Sequence, residues 1–357
     1  MQDRDPVGGK AIAVTGACGT VGRELVRQLL EHEGTAPRRV LALDNNESEM
    51  FYLAEQWKTR TEFAGSVCDV RDLRALRIKF RDVDTVFHAA ALKHVHSCEL
   101  DPYEAVQTNI EGTQNVIDAA RDCDVSLVMN TSSDKAVNPT NVMGTTKLMG
   151  ERLMTAANIS HERGVTRYAS TRFGNVLGSR GSVVPLMLSQ IASRREVTIT
   201  DPRMSRFVMS IREAARLVID SARLARGGEV FITKMAVATV PTLAEALIAE
   251  AAPRLGLETS DIASRIIGAK PGEKFYEELM TDEETRRTIE LGPYFVVVPA
   301  FSNLYPEVSR AYSAVDRGSV TAYRSDREEP LTVELIRDLL VREGLVPADP
   351  GRSPADV

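Results

Sequence analysis

Excess positive charge, long apolar runs and metal-spaced cysteines or histidines are all missing from this chain of 357 residues. Lysine and arginine number 44 against 50 aspartates and glutamates, a net charge of −6. Proteins that hold nucleic acid usually carry a basic excess to neutralise phosphate, so no nucleic-acid partner is expected. A local basic pocket for a small phosphorylated ligand stays open. No stretch reaches the ~18 consecutive apolar residues of a membrane helix. The opening M-Q-D-R-D-P-V-G-G-K lacks the apolar stretch of a secretory signal. Cys18, Cys68, Cys98 and Cys123 are scattered without ligand spacing, which predicts free thiols in a reducing compartment. His94 and His96 have no third partner of the kind a metal site needs, so no metal is expected. The expected location is the cytoplasm, with no membrane partner.

What remains is a soluble globular composition, 43% hydrophobic and 26% charged, long enough for a large core and one or two domains. Stretches 10–15, 39–43, 62–67, 84–88, 125–129 and 165–173 read as buried strands. Helices are expected after the first strand, from about 101 to 120, and over 140–162. This strand–helix rhythm predicts an α/β fold with a doubly wound parallel sheet. Further on the alternation weakens, with helices over 183–193, 211–225 and 243–251 and strands over 196–200, 230–232, 264–267 and 294–298. The expected organisation is a loose tail over 1–9 and a dinucleotide-binding domain over 10–182. A smaller C-terminal α/β domain over 183–345 mainly holds substrate and returns some elements to the first sheet, and 346–357 is disordered by composition.

Between the first strand and its helix lies T-G-A-C-G-T-V-G, with glycines at 16, 19 and 22. Gly16 permits the tight turn, Gly19 lets backbone approach a pyrophosphate, and Gly22 lets helix pack on strand. The helix N-terminus adds amide donors for the anion. Asp44 follows Gly22 at close to the ~20-residue spacing of the acid that binds the adenosine ribose. A carboxylate there repels a 2′-phosphate and favours NAD over NADP. Its alternative role is a helix cap. Asp69 is similarly placed to meet the adenine amino group, to cap a helix starting at Arg71, or to do both. The small run Ala89-Ala90-Ala91 lets a cofactor lie against backbone.

The densest chemistry lies from 127 to 154. An apolar run ends in Ser132, Ser133, Asp134 and Lys135, and a helix then brings Met143 and Lys147, four apart and so on one face. Open α/β sheets build their sites at such carboxyl edges. The bland alternative for Asp134 and Lys135 is a surface turn ion pair of little worth. Arg180, Arg203, Arg206 and Lys274 fall on expected loops, where solvated charge is the default. Arg180 and Arg206 are the better candidates for a diphosphate.

Five motifs carry a resemblance: A-A-L-K-H-V at 90–95, S-S-D-K-A-V-N-P-T-N at 132–141, F-G-N-V-L-G-S-R-G-S-V-V-P at 173–185, R-M-S-R-F-V-M at 203–209 and P-G-E-K at 271–274. Nearly the whole chain resembles the extended short-chain dehydrogenases/reductases, a Rossmann fold with a C-terminal substrate-binding domain. More narrowly it resembles bacterial UDP-N-acetylglucosamine 4,6-dehydratases of polysaccharide biosynthesis. Asp-Lys after the fifth strand is the most specific element, since related dTDP- and GDP-hexose dehydratases have Asp-Glu there. The superfamily's Tyr-x-x-x-Lys is here M-G-T-T-K, with Met143 in the tyrosine's place. A thioether cannot take a proton from a hydroxyl. Methionine at this place resembles a branch whose product retains C5 configuration, where tyrosine-containing relatives invert it.

The resemblance implies a tightly bound, recycled NAD and a UDP-sugar substrate. It implies C4 oxidation, loss of water across C5 and C6, and return of hydride to C6. Implied catalytic residues are Ser133, Asp134 (acid at O6), Lys135 (base at C5, acting as a free amine), Met143 and Lys147. The group that deprotonates O4 stays open between Asp134 and a water, with Ser133 orienting the hydroxyl. Implied cofactor contacts are Thr15, Gly16, Cys18, Gly19, Thr20, Val21, Gly22, Asp44, Asn45, Asp69, Val70, Ala89, Ala90, Ala91, Lys93, Asn109 and Lys147. Implied substrate contacts are Lys93, His94, Ser133, Asn175, Arg180, Val184, Arg206 and Lys274. By analogy the chain forms a homodimer or higher homo-oligomer through the helices near 101–120 and 140–162. The rival readings are a nucleotide-sugar 4- or 5-epimerase of the same superfamily and a non-catalytic NAD-binding regulator.

Overall fold

The computed structural model describes residues 5–159, 166–269, 272–313, 315 and 320–347. Along the chain come β1 (Ala11–Thr15), α1 (Thr20–Leu30), β2 (Arg39–Asp44), α2 (Glu47–Trp57), β3 (Phe63–Val67), α3 (Leu73–Lys79) and β4 (Thr85–His88). Then follow α4 (Val95–Leu100), α5 (Pro102–Ala105), a π-helical turn (Val106–Glu111), α6 (Gly112–Asp122), β5 (Leu127–Thr131), α7 (Val142–Ala157) and β6 (Arg167–Arg172). Next are β7 (Asn175–Val176), α8 (Val183–Arg194), β8 (Glu196–Ile199), β9 (Ser205–Met209), α9 (Ile211–Leu224), β10 (Val230–Thr233), β11 (Ala236–Thr239) and α10 (Val240–Arg254). The last are β12 (Ala263–Ile266), α11 (Asp282–Thr285), β13 (Thr288–Leu291), β14 (Tyr294–Val297), α12 (Pro306–Ala311) and α13 (Val333–Arg342).

These elements form two compact units, and neither is one continuous stretch. The first comprises Met1–Phe173, Arg212–Lys234 and Leu279–Ala322, and the second Gly174–Ile211, Met235–Glu278 and Tyr323–Val357. The first break therefore falls at 173/174, ahead of the 182/183 read from the glycine-rich loop.

The first unit holds a nine-stranded sheet in the order β13-β14-β10-β6-β5-β4-β1-β2-β3. β3 through β10 in that order run parallel, and β14 and β13 add on antiparallel. β1 and β5 are buried at every position, which is why their apolar stretches, 11–14 and 127–129, run on without alternating. Residues 5–9 are no loose tail. The Asp5 carboxylate accepts the Val7 N–H at 2.9 Å, and Thr85 Oγ–H donates to Pro6 O at 3.1 Å. That turn buries Val7 completely. Residues 1–4 and 348–357 of the two expected tails lie outside the described residues, as does Pro271 of the P-G-E-K motif.

The second unit has a three-stranded sheet, β11-β9-β7, and a parallel pair, β12-β8. Its core is built by α8, α10 and α13, with Leu188, Ile191, Leu247, Leu340 and Ile336 among the residues buried in it. Arg206, read as a loop residue, sits in β9 between buried Ser205 and Phe207.

Candidate active site

In the first unit the turn after β1 has no room for side chains. Gly16 has φ +69° and a Cβ there would stand 2.5 Å from Ala90 N, in the run after β4. A Cβ on Gly22 would collide with Gly16 O. Gly19 is the N-cap of α1, and no side chain caps the first turn holding Thr20 and Val21. Asp44 Oδ2 accepts the Cys18 N–H at 2.9 Å and Oδ1 that of Asn46 at 3.0 Å. It is not the cap of α2, a role taken by Asn46 through Glu49 N–H. These features fit a dinucleotide: a flat glycine cradle, an uncapped helix start, and an acid at the end of β2.

Asp69 also caps no helix. α3 starts at Leu73 under Asp72, while Asp69 grips Arg71 at 2.8 Å and lies 3.4 Å from the exposed Asn45 amide. Burial raises the Asp69 carboxyl, but the hydrogen bonds from Arg71 outweigh it and hold it below its usual range. Ala89, Ala90 and Ala91 are half-buried, with Ala89 N–H on Thr15 O at 3.0 Å.

Three expected cofactor contacts have other employment. Thr15 is fully buried and its hydroxyl lies 2.7 Å from His88 Nδ1. The Thr113 hydroxyl spends its one proton on Asn109 O at 2.7 Å, so at 3.2 Å it accepts from His88 Nε2–H. His88 Nδ1 therefore accepts from Thr15, and the ring is neutral. Burial, and then the Lys147 charge, push it down to about 3. Val70 packs in the sheet's core. Asn109, in the π-helical turn, takes Leu92 N–H at 2.8 Å and donates to Leu92 O at 3.0 Å and Thr146 Oγ at 2.9 Å. It pins the loop after β4 to α7. Lys93 and His94 are exposed on that loop.

At the carboxyl end of β5 the chemistry read from the sequence does assemble. Ser133 N-caps a 3₁₀ turn over Asp134–Ala136, and Asp134 N–H bonds Phe173 O at 3.0 Å. The Asp134 side chain is 1% exposed, against 31% for Lys135, so this is not a surface pair. Lys135 Nζ lies 3.1 Å from both Asp134 oxygens, and Ser133 Oγ–H donates to Oδ1. Gly144 lets α7 close on this turn, since a Cβ there would strike Lys135 O. One turn on, Lys147 Nζ–H donates to Thr131 O at 3.0 Å. Burial pushes its ammonium down to about 8. Met143 is buried with Cys98 and Ala105.

Behind this edge lies a cluster that no motif announced. Ser132 Oγ–H donates to Glu151 Oε1 at 2.5 Å. Arg172, from β6, meets Glu151 through Nε at 3.0 Å and Nη2 at 2.6 Å. It meets Glu284 through Nη1 at 3.0 Å and Nη2 at 3.1 Å, and Leu279 O through Nη1 at 2.8 Å. All five guanidinium N–H groups are thus used. Burial opposes its charge, but the two carboxylates more than restore it. Burial likewise raises Glu284, yet Arg172 outweighs it and leaves the carboxyl at about 2.

In the second unit, Asn175 Nδ2 donates to the buried Glu277 carboxylate at 2.8 and 2.9 Å, and Arg206 Nε lies 3.4 Å from the same group. Glu277 only accepts, so it fixes which end of the Asn175 amide faces it. Arg206 also reaches Glu273 at 3.5 Å. Arg180 is exposed and Lys274 half-buried. Val184, expected on substrate, is 1% exposed in the unit's core, because the first turn of α8 faces inward there. Among the described residues no helix is long and apolar enough to cross a membrane, and no cluster of His, Cys, Asp and Glu is placed for a metal.

The chain is similar to known proteins. A family model described as "Polysaccharide biosynthesis protein" matches residues 12–299. An uncharacterized membrane protein of Methanocaldococcus jannaschii is 47% identical over 81% of this chain and 86% of its own. A UDP-N-acetylglucosamine 4,6-dehydratase (inverting) of Campylobacter jejuni is 38% identical over 82% and 84%. A UDP-glucose 4-epimerase of Rickettsia bellii is 36% identical over 80% and 82%. The crystal structure of Pen from Bacillus thuringiensis is 38% identical, covers 96% of this chain and 99% of its own, and superposes with a TM-score of 0.87. On these grounds the chain belongs to the polysaccharide biosynthesis protein family of extended short-chain dehydrogenases/reductases.

Proposed function

We propose that this chain binds NAD and dehydrates a UDP-N-acetylhexosamine, UDP-N-acetylglucosamine first, to the UDP-4-keto-6-deoxy sugar with C5 configuration retained. The observation that carries the reading is the buried Asp134 carboxyl clasped by Lys135 at the end of β5. The Campylobacter dehydratase supports the reaction class, although its name specifies inversion. Retention rests on the resemblance carried by Met143. The epimerase relative supports the shared nucleotide-sugar chemistry. An epimerase expels no hydroxyl, however, and would have no use for an acid beside an amine.

Gly16, Gly19, Gly22 and the first turn of α1 hold the cofactor's pyrophosphate, Asp44 its adenosine ribose, and Lys147 its nicotinamide ribose. Bound NAD supplies removal of hydride at C4 and its return at C6. The chain's own groups move the protons. Ser133 donates to Asp134, so a proton drawn from O4 reaches Asp134 through Ser133. Lys135, entering turnover as a free amine, takes the C5 proton made acidic by the neighbouring ketone. The C6–O bond breaks and Asp134 protonates the departing hydroxyl. Water thus leaves with the proton that began on O4, and Lys135 returns its proton to C5 from the same face. Lys93, His94, Asn175, Arg180, Arg206 and Lys274 are proposed to bind the nucleotide sugar. Leu100, Tyr103 and Met149, exposed on or beside α4, α5 and α7, are apolar residues that a homodimer would cover.

In deuterated water, UDP-N-acetylglucosamine or UDP-N-acetylgalactosamine is expected to yield a 4-keto-6-deoxy product with deuterium at C5, read by NMR. Unchanged nucleotide sugars across such a panel would defeat the reading. For the cofactor, calorimetric titration is expected to show NAD⁺ binding at least about ten-fold more tightly than NADP⁺, a difference of about 1.4 kcal/mol. Asp44→Asn, which keeps the shape and drops the charge, should narrow that gap. Equal affinities in the unaltered chain would remove Asp44 from the ribose role.

A further inference from the structure

We propose that Glu151 is a positioning residue for the two groups beside it: it keeps Lys147 charged and anchors Ser132, with Arg172 and Glu284 as its fixed support. Lys147 and Glu151 are four residues apart on α7 and share a face. They reach consecutive residues of the chain, Lys147 Nζ to Thr131 O at 3.0 Å and Glu151 Oε1 to Ser132 Oγ at 2.5 Å. Two successive turns of the helix are thereby stitched to the exit of β5, immediately before Ser133, Asp134 and Lys135.

Charge supplies the other half. Two carboxylates, Glu151 and Glu284, share one guanidinium, and their side chains are 3%, 6% and, for Arg172, 1% exposed. Two carboxyl groups thus face a single guanidinium, and buried charge demands a partner. The groups set against Lys147 are Glu151 on its own helix, the Cys98 thiol on α4 and neutral His88 on β4, and the turn carrying Asp134 and Lys135 packs against α7. Burial pushes Lys147 down, and Glu151, ahead of Cys98, pulls it back. The Cys98 thiol is itself pushed up by burial and stays neutral near pH 7, which leaves the influence on Lys147 to Glu151, whose two oxygens accept from Ser132 and Arg172. Arg172 cannot turn toward Lys147 because all five of its N–H groups are committed. The inference rests on the dehydratase reading only for why the charge is useful.

Its test needs neither cofactor nor substrate. The pH dependence of Lys147 acylation by acetic anhydride, read by mass spectrometry, gives the amine's titration midpoint in the free chain. In Glu151→Gln the midpoint should fall below about 8, raising the acylation rate at pH 7 by roughly five-fold for the first pH unit of displacement and by no more than about ten-fold in all. Glu151→Asp, which keeps the charge, should restore most of it. Glu284→Gln removes the more distant charge and should give a smaller fall in the same direction, which serves if Glu151→Gln does not fold. A midpoint unmoved in the folded variants overturns the proposal, and the dehydratase reading would survive that result. Failure to make a keto sugar would leave the titration standing.

Discussion

Replacing Asp134 by asparagine is expected to slow dehydration by roughly 10²–10⁴-fold, the usual worth of a positioned proton donor. NAD affinity should be unchanged, because the glycine turn and Asp44 are untouched. Asparagine fills the same space and still accepts from Ser133, but it cannot carry the proton from O4 to O6. Lys135→Ala is expected to cost at least as much and also to abolish deuterium entry at C5 in recovered substrate. The two losses should not multiply in the double variant, because the residues serve one proton circuit. Single-turnover product analysis with NAD-loaded protein measures both. Either variant at full speed would disconnect this pair from the chemistry.

The second large effect is on stability. Arg172→Met leaves Glu151 and Glu284 buried without their shared counter-charge, and breaking such a cluster costs about 3–5 kcal/mol. At ~2–4 °C per kcal/mol for a unit of this size, the melting temperature should fall by on the order of 10 °C. The pH dependence gives the cause away. In the intact chain Glu284 is held at about 2, so its share of stability is present above the ordinary carboxyl range and is lost only as pH falls toward 2. Without Arg172, burial is left to raise the Glu284 carboxyl. The variant's deficit should then be greatest near neutrality and shrink in mild acid, where protonation relieves the stranded charges. A deficit that does not change with pH would point to lost packing instead.

How much of this was legible beforehand depended on how local each signal is. The glycine turn, the acid ending β2 and the S-S-D-K exit from β5 are contiguous patterns, and each lies where its spacing placed it. Strands buried on both faces announced themselves as unbroken apolar runs. Arg172 and its carboxylates gave no sign, because their partnership joins three distant points and the arginine looks from sequence like an exposed charge closing a strand. Arg206 misled in the same way: a charge next to Ser205 hid a strand whose other positions are all buried. Val184 sat inside a recognisable motif, and the motif overrode the plainer fact that apolar residues opening a helix face a core. Thr15 shows the converse, a polar residue in the cofactor turn whose hydroxyl is fully buried against His88.

The interleaving of the two units bears on how the chain is made. β6 gains its neighbour β10 only once residue 233 has emerged, and β10 waits for β14, whose last residue is 297. At ~5–20 residues per second, synthesis of the roughly sixty residues between them leaves a hydrophobic sheet edge open for several seconds. During that interval the nascent protein presents an unpaired template for strand addition, the circumstance in which chaperones are engaged. A shortened transcript ending before β14 would leave that edge open permanently, so truncation there should produce aggregate rather than a smaller soluble fragment.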